Sequence, residues 1–299
     1  MSRIALAGGS GFVGAALRRH WASRGVEVVP LVRRPAETGA EVAWDPETGR
    51  LDAARLADCD VLVNLGGASI AAGRWTARRK RLIRESRVRP TQVLAAALRD
   101  GVWRPRVWIN ASAIGYYGDG GERELDESAP QGAGFLASVC ADWEAATRPA
   151  EAAGVRVVRL RLGVVLDPAG GALAKLLPVY RAGLGGPLGD GRAWMSVIAL
   201  DELCRVVDTV VGDTRLTGAV NAVSPEPVRN AAFAAALGRS LRRPAFVRTP
   251  AWLVRGLLGE MGRETLLASQ RAVPRALLAC GHRFRPGGLT GGIRSADHG

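Results

Sequence analysis

Lysine is almost missing from this chain. Only Lys80 and Lys175 stand among 41 basic residues, so 39 are arginine. A formal charge of +13 would ordinarily raise nucleic acid or a membrane surface as partner. Arginine alongside abundant alanine, glycine and valine is, however, what a high-GC coding bias produces, and net charge speaks to solubility and steering rather than fold. The one dense basic cluster, Arg74-Trp-Thr-Ala-Arg-Arg-Lys-Arg-Leu-Ile-Arg84 with Arg87 and Arg89 following, comes without a basic tail, zinc finger or RNA-recognition signature. It reads as a solvated helix face, and nucleic-acid binding is not expected. Cysteine is sparse too. Cys59, Cys140, Cys204 and Cys280 lie far apart with no CxxC, and there are three histidines, which excludes a zinc module and argues against a disulfide framework. No metal is expected. No stretch approaches the ~20 apolar residues a membrane span requires. The opening MSRIALAGGSGFVG lacks the regions of a signal peptide, so a cytoplasmic location is expected.

What is present is a globular profile, 47% hydrophobic and 23% charged, over 299 residues. That length suits two domains or one large α/β unit. Arg3 to Ala7 reads as a short buried strand. Phe12, Val13, Ala16, Leu17, His20 and Trp21 then recur at helical spacing up to Gly25. Val26 to Val32 is a β-branched run suited to a parallel strand covered on both faces. Further strands are expected at 61–64, 106–110, 155–162 and 216–222. Between them, helices are expected at 76–99, bent near Pro90, and at 136–153. Alternating strands and helices predict a Rossmann-like, doubly wound parallel sheet. After Leu166 glycines crowd Gly183 to Gly191, and from Arg229 the chain breaks into short helical pieces. The expected division is a dinucleotide-binding domain over 1–166, with a returning strand near 196–228. A smaller, mostly helical substrate lobe takes 167–195 and 229–299. The glycine-rich stretch has a composition suited to a moving lid.

Gly8-Gly9-Ser10-Gly11-Phe12-Val13-Gly14 sits between the first strand and the first helix. Gly8 allows a tight turn, Gly11 lets the backbone approach a pyrophosphate, and Gly14 permits close helix–strand packing. The helix start offers N–H groups and a positive dipole end to phosphate. The second strand ends Leu31-Val32-Arg33-Arg34, where an NAD enzyme carries an acid for the ribose 2′-hydroxyl. Guanidinium groups at that place suit a 2′-phosphate, so NADP is the expected cofactor.

With the glycine loop, Asn64-Leu65-Gly66-Gly67, Arg74-Trp-Thr76 with Lys80 and Ser86-Arg87 add to a likeness. Ala111-Ser-Ala-Ile-Gly-Tyr-Tyr-Gly118, Trp143-Glu144, Arg161–Leu166, Gly183–Ser196, Gly259-Glu-Met261 and Gln270-Arg271 with Pro274 complete it. Together these segments resemble the extended short-chain dehydrogenase/reductase superfamily. Within it they resemble the atypical "epimerase family" group, whose members end in a small domain of unknown function. The resemblance implies hydride transfer between a nicotinamide and a carbonyl or alcohol carbon. It implies Leu65 and Gly66 beside the cofactor and Ser112 on the substrate oxygen. The superfamily's Tyr–Lys pair is missing: the stretch before Glu144 reads Phe135-Leu-Ala-Ser-Val-Cys140-Ala-Asp-Trp-Glu144, a loss the atypical group shares. Ala193 and Ala199 stand where glutamine and histidine are usual, which removes carried-over sugar-nucleotide contacts. Tyr116 and Tyr117 are the candidate replacements, with packing of Tyr117 against the cofactor wall as the alternative. Asp126 and Glu127 read as loop anchors, and Trp75 and Trp143 as packing. Arg74, Arg192 and Trp194 are candidate substrate contacts. The expectation is an NADP-dependent oxidoreductase or epimerase-like enzyme acting on a small molecule, with a homodimer left open. The alternative is a catalytically degenerate NADP-binding sensor or scaffold.

Overall fold

The computed structural model describes residues 3–286 and Ile293. The remainder of the expected lobe's end, 287–292 and 294–299, lies outside the described residues. Eight strands form the main sheet. They are β1 (Arg3–Ala7), β2 (Glu27–Val32), β3 (Val42–Asp45), β4 (Arg50–Leu51), β5 (Val61–Asn64), β6 (Val107–Ala113), β8 (Val157–Leu162) and the strand Gly218–Ala222; β7 (Glu124–Leu125) lies outside it. Their order across the sheet is Gly218–Ala222, β8, β6, β5, β1, β2, β3, β4. Every pairing is parallel except β3 with β4. The expected doubly wound sheet is present.

Side-chain alternation along β1 explains the two cores. Ile4 and Leu6 enter a cluster with Leu17 and Trp21 of helix α1 (Phe12–Ala22) and with Leu203 and Val207. Ala5 and Ala7 face the opposite layer, with Leu94 and Leu98 of α2 (Ala77–Arg99) and Trp108. Both faces are covered, which is why these strands read as apolar runs rather than alternating ones. The Thr76 hydroxyl caps α2 by accepting from the Arg79 amide at 3.2 Å, and Pro90 is accommodated inside the helix.

A separate core lies where the smaller lobe is expected, and it also includes Leu166 and Val197 from the expected dinucleotide-binding part. Leu173, Leu177 and Tyr180 pack on Phe233, Ala234 and Leu237. Two short ladders lie outside the main sheet: β7 pairs in parallel with Arg271–Ala272, and Trp194–Met195 pairs antiparallel with Val228–Arg229. The glycine-rich stretch is stitched to its neighbour. The Val247 amide donates to the Gly185 carbonyl at 3.1 Å, Thr249 to Pro187 at 3.0 Å, and Gly189 to Thr249 at 2.8 Å. A Cβ on Gly186 would lie 2.2 Å from the Val247 carbonyl oxygen. Its glycines serve close approach.

Candidate functional site

The carboxyl edge of β1, β5 and β6 carries the site. At the end of β1 the chain turns through Gly8, whose φ of +81° suits glycine. A Cβ there would stand 2.8 Å from the Leu65 carbonyl carbon and 3.0 Å from the Gly66 nitrogen, so this turn and the β5 loop touch. Gly14 is tighter: its added Cβ would meet the Gly8 oxygen at 2.2 Å. Gly9 is buried, Ser10 and Gly11 are exposed, and Phe12 and Val13 are half-buried. Gly11 precedes α1, and no side chain caps that helix, so its first-turn N–H groups keep their capacity for an outside acceptor. Leu65 donates its amide to the Ala7 carbonyl at 3.0 Å, and Gly66 donates to Asn64 Oδ1 at 3.2 Å. Asn64 is thus a positioning residue that sequence alone did not single out. Its Nδ2 donates to Thr91 Oγ1 at 3.0 Å and to Asn110 Oδ1 at 2.7 Å, tying β5 to β6 and α2. The cradle fits a dinucleotide: filling it with methyl groups would collide with backbone.

The two arginines after β2 differ. Arg33 is exposed and, among the described residues, makes no side-chain hydrogen bond or ion pair. Arg34 forks onto Glu41 at 2.8 and 2.9 Å and lies 3.3 Å from Glu37. The hydrogen bond to Arg34 holds the Glu41 carboxyl below its usual range. Arg18 of α1 reaches the same corner, its Cδ 3.2 Å from where a Gly9 Cβ would be.

Ser112 is not past a strand end. β6 runs on to Ala113, so Ser112 lies within the sheet, 1% exposed, beside Arg161 of β8. Its hydroxyl donates to Glu144 Oε1 at 2.7 Å. Arg161 forks onto the same carboxylate, Nε to Oε1 at 2.8 Å and Nη2 to Oε2 at 2.9 Å. Glu144 comes from helix α3 (Phe135–Ala145). Arg161 also donates to the Tyr117 hydroxyl at 2.9 Å, and that hydroxyl donates to Asn221 Oδ1 at 2.8 Å. Asn221 in turn donates Nδ2 to the carbonyls of Leu125 and Val273, while Glu127 accepts from the amides of Asn221 and Ala276. Burial pushes Tyr117 up to about 12, against the lowering pull of Arg161. Both partners of that hydroxyl stand on strands of the main sheet, and the raised value makes it a poor base at neutral pH. Tyr116 lays its ring 3.6 Å from the Arg161 guanidinium carbon and lines a side groove with Gln131, Arg148 and Arg159. Neither tyrosine is bonded to Ser112.

The candidate substrate contacts scatter. Arg74 is spent on the Gly256 carbonyl at 2.7 Å. Trp194 is flanked by Arg229 at 3.8 Å and Arg271 at 4.9 Å, its Nε1 donating to Glu122 at 3.0 Å. Arg192 is exposed, as is Arg74. Trp143 and Trp75 are packing residues, with their ring N–H groups on Thr91 Oγ1 and the Ile70 carbonyl. Among the described residues no group of histidine, cysteine and acids could hold a metal, and no helix is long and apolar enough to cross a membrane.

A parallel sheet with a glycine cradle at its carboxyl edge and a polar wall on the next strands defines a dinucleotide-binding class of α/β protein. The model of the NAD-dependent epimerase/dehydratase family matches residues 4–240, and a domain of unknown function, DUF1731, matches 249–290. The chain belongs to that epimerase/dehydratase family. It is 45% identical over 282 residues to the epimerase family protein Mb2239 of Mycobacterium bovis, covering 94% of this chain and 93% of that one. The crystal structure of human epimerase family protein SDR39U1 with NADPH is similar at a TM-score of 0.89, with 30% identity and 99% of each chain covered. A nucleoside-diphosphate sugar epimerase from Corynebacterium glutamicum matches at a TM-score of 0.78 and 36% identity, over 99% of this chain and 57% of that one.

Proposed function

We propose that this protein is an NADP-dependent oxidoreductase or epimerase-like enzyme of the cytoplasm, acting on a small molecule as a monomer or homodimer. The observation that carries the reading is the open cradle of Gly8, Gly11 and Gly14 with an unengaged Arg33 at the place that reads the adenosine ribose. The uncapped turn of α1 receives the pyrophosphate, and Arg33 receives the 2′-phosphate. Bound NADP(H) supplies or takes a hydride. The chain's own part is to orient the substrate oxygen and handle its proton. With its hydrogen committed to Glu144, Ser112 presents lone pairs. In that state it accepts from a substrate alcohol; to donate to a carbonyl, its hydroxyl turns off the carboxylate. The test is NADPH titration followed by a screen of carbonyl compounds for NADPH consumption. Tight binding with consumption supports the enzyme; absence of binding overturns the reading.

One observation favours the second reading, an NADP-binding sensor or scaffold. Ser112 and Tyr117 are both 1% exposed and both bonded into one network with Glu144 and Arg161. Binding of NADPH without turnover across the screen selects it.

A further inference from the structure

The arginine excess is not spread evenly over this chain. Between Glu226 and Glu260 there is no acid, and six arginines fall in that interval. Arg229 is spent on Glu122, but Arg242, Arg243 and Arg248 are exposed and, among the described residues, pair with no carboxylate. They sit on the irregular segment 241–250, which joins the helix Asn230–Ser240 to the helix Ala251–Thr265. Large apolar side chains stand out beside them: Phe246 is 78% exposed and Trp252 71%. Leu184, 62% exposed, lies alongside. The Gly185 carbonyl next to it accepts from the Val247 amide at 3.1 Å, and a Cβ on Gly183 would stand 3.6 Å from Pro244 Cγ.

The row has a direction. Arg242, Pro244, Phe246, Arg248, Pro250 and Trp252 are all exposed, whereas Ala245, Thr249 and Ala251 between them are half-buried. Ala245 turns in against the preceding helix, where a Cβ on Gly238 would stand 2.5 Å from Ala245 Cβ. The outward edge therefore alternates cations with aromatic rings, as a chain does when one of its sides is packed. At its start Arg242 holds φ +50°, the left-handed region in which a helix terminus favours glycine or asparagine. A cation is kept there at a conformational cost.

The chemistry of this edge narrows what can cover it. Pro244 and Pro250 have no N–H, so the row cannot template a strand from a second copy. Leu184 and the two prolines offer no π-face for bases to stack on, which argues against nucleic acid. Apart from the Trp252 ring N–H, no neutral hydrogen-bonding group faces outward, whereas a protein interface uses such groups to fix its partner. Protruding Phe and Leu tips, a Trp with its ring N–H and unpaired arginines suit the boundary between lipid headgroups and acyl chains, where guanidinium groups meet phosphates while the tips enter hydrocarbon. We propose that the edge 242–252, with Leu184, docks this protein on the surface of a bilayer rich in anionic lipid. No helix among the described residues is long and apolar enough to cross a membrane, so the contact is peripheral. The inference goes beyond the reading of the cleft and does not depend on it.

The test is co-sedimentation of the full chain with vesicles of phosphatidylcholine alone and of phosphatidylcholine mixed equally with phosphatidylglycerol. Binding is expected to the mixed vesicles only, and to weaken as salt rises. A basic protein can collect on such vesicles by charge alone, so the deciding variant keeps every charge. Phe246→Ser with Trp252→Ser is expected to bind at least about tenfold more weakly, with its circular dichroism unchanged. Equal binding by that variant, or no binding by the unmodified protein, overturns the proposal. Arg242→Gln with Arg248→Gln is expected to lose about tenfold as well, and unchanged binding there also overturns it. Should the double serine variant fail to fold, Trp252→Phe reads the same contact by fluorescence. Brominated acyl chains are expected to quench part of the parent's tryptophan emission, and that part disappears in Trp252→Phe. An identical quenched fraction in the two proteins overturns. Binding of polyuridylate or polyglutamate in place of vesicles assigns the edge to a nucleic acid or an acidic protein, and overturns the lipid proposal.

Discussion

The glycine cradle and the wall that carries Ser112 are about as different as two parts of one sheet edge can be. The cradle is made of backbone, with N–H groups uncommitted and space that a single methyl would fill. The wall is made of side chains, and each polar atom there already has a partner inside the protein: Ser112 on Glu144, Glu144 on Arg161, Arg161 on Tyr117, Tyr117 on Asn221. One region is poised to bind; the other is already satisfied. A wall of that kind holds the lobe to the sheet as much as it does chemistry, since Asn221 and Glu127 reach the backbone of Val273 and Ala276. Recognition of the cofactor and conversion of the substrate therefore place different demands on this chain, and they can be separated by substitution.

The largest separation is in stability. Glu144→Ala removes the carboxylate that, alone among the described residues, pairs with buried Arg161, which is 4% exposed. Breaking a buried pair from one side leaves an uncompensated charge and costs about 3–5 kcal/mol. Denaturant unfolding should register that loss, with NADPH affinity in the folded fraction nearly unchanged. A loss under about 1 kcal/mol would mean that the wall is solvated and not sealed. Next in size is Ser112→Ala. A positioned proton-handling group contributes about 10²–10⁴-fold in rate. On the enzyme reading kcat/KM falls by about 10²-fold with cofactor affinity unchanged. Turnover at the parent rate removes Ser112 from the chemistry.

How far the sequence could be read follows the same divide. The cradle was legible because it depends on glycine spacing within a dozen residues, and spacing between a strand and a helix dictates backbone geometry directly. The strands were legible from their apolar runs, with ends off by a few residues. β6 was read as stopping at Asn110, whereas it continues through Ser112 to Ala113, because a polar residue in a buried strand looks like an exit from it. Burial of Ser112 was illegible: its partner Glu144 is 32 residues away and Arg161 a further 17. Trp143-Glu144 and Arg161 are parts of the family likeness, but nothing local tells that they meet. The pinning of the glycine-rich loop by residues 247–249 is a long-range fact of the same kind. So is the engagement of Arg34, whose partner Glu41 lies beyond the acid at Glu37.

Tyr117→Phe addresses a single link of the wall. It removes a buried hydroxyl that accepts from Arg161 and donates to Asn221, stranding both, at a cost of about 1–3 kcal/mol. The alkaline limb carries the sign. Tyr117 is raised by burial from 10.0 to about 12, so the stability its neutral form contributes is whole below pH 10 and is lost as pH climbs through 12. Absorbance titration of the three tyrosines should show the last step near pH 12 and its disappearance in the variant. A variant that keeps that step would move the assignment elsewhere.

The smallest expected effect divides two adjacent residues of the cradle's rim. The protein should bind NADPH at least about tenfold more tightly than NADH, or about 1.4 kcal/mol. If both arginines after β2 met the 2′-phosphate equally, replacing either would cost half of this. The geometry is unequal. Arg34 is bidentate on Glu41 and close to Glu37, so bringing it to a phosphate means giving up charge-assisted bonds already made. Arg33 gives up nothing but solvent. Arg33→Ser should therefore erase most of the preference, and Arg34→Ser should change it less than about threefold, under 0.7 kcal/mol. The measurement is a pair of titrations, NADPH and NADH, on each variant. An Arg34→Ser protein that loses the preference while Arg33→Ser keeps it would mean that Glu41 releases Arg34 on binding, and the rim would then be remade by its ligand rather than ready for it.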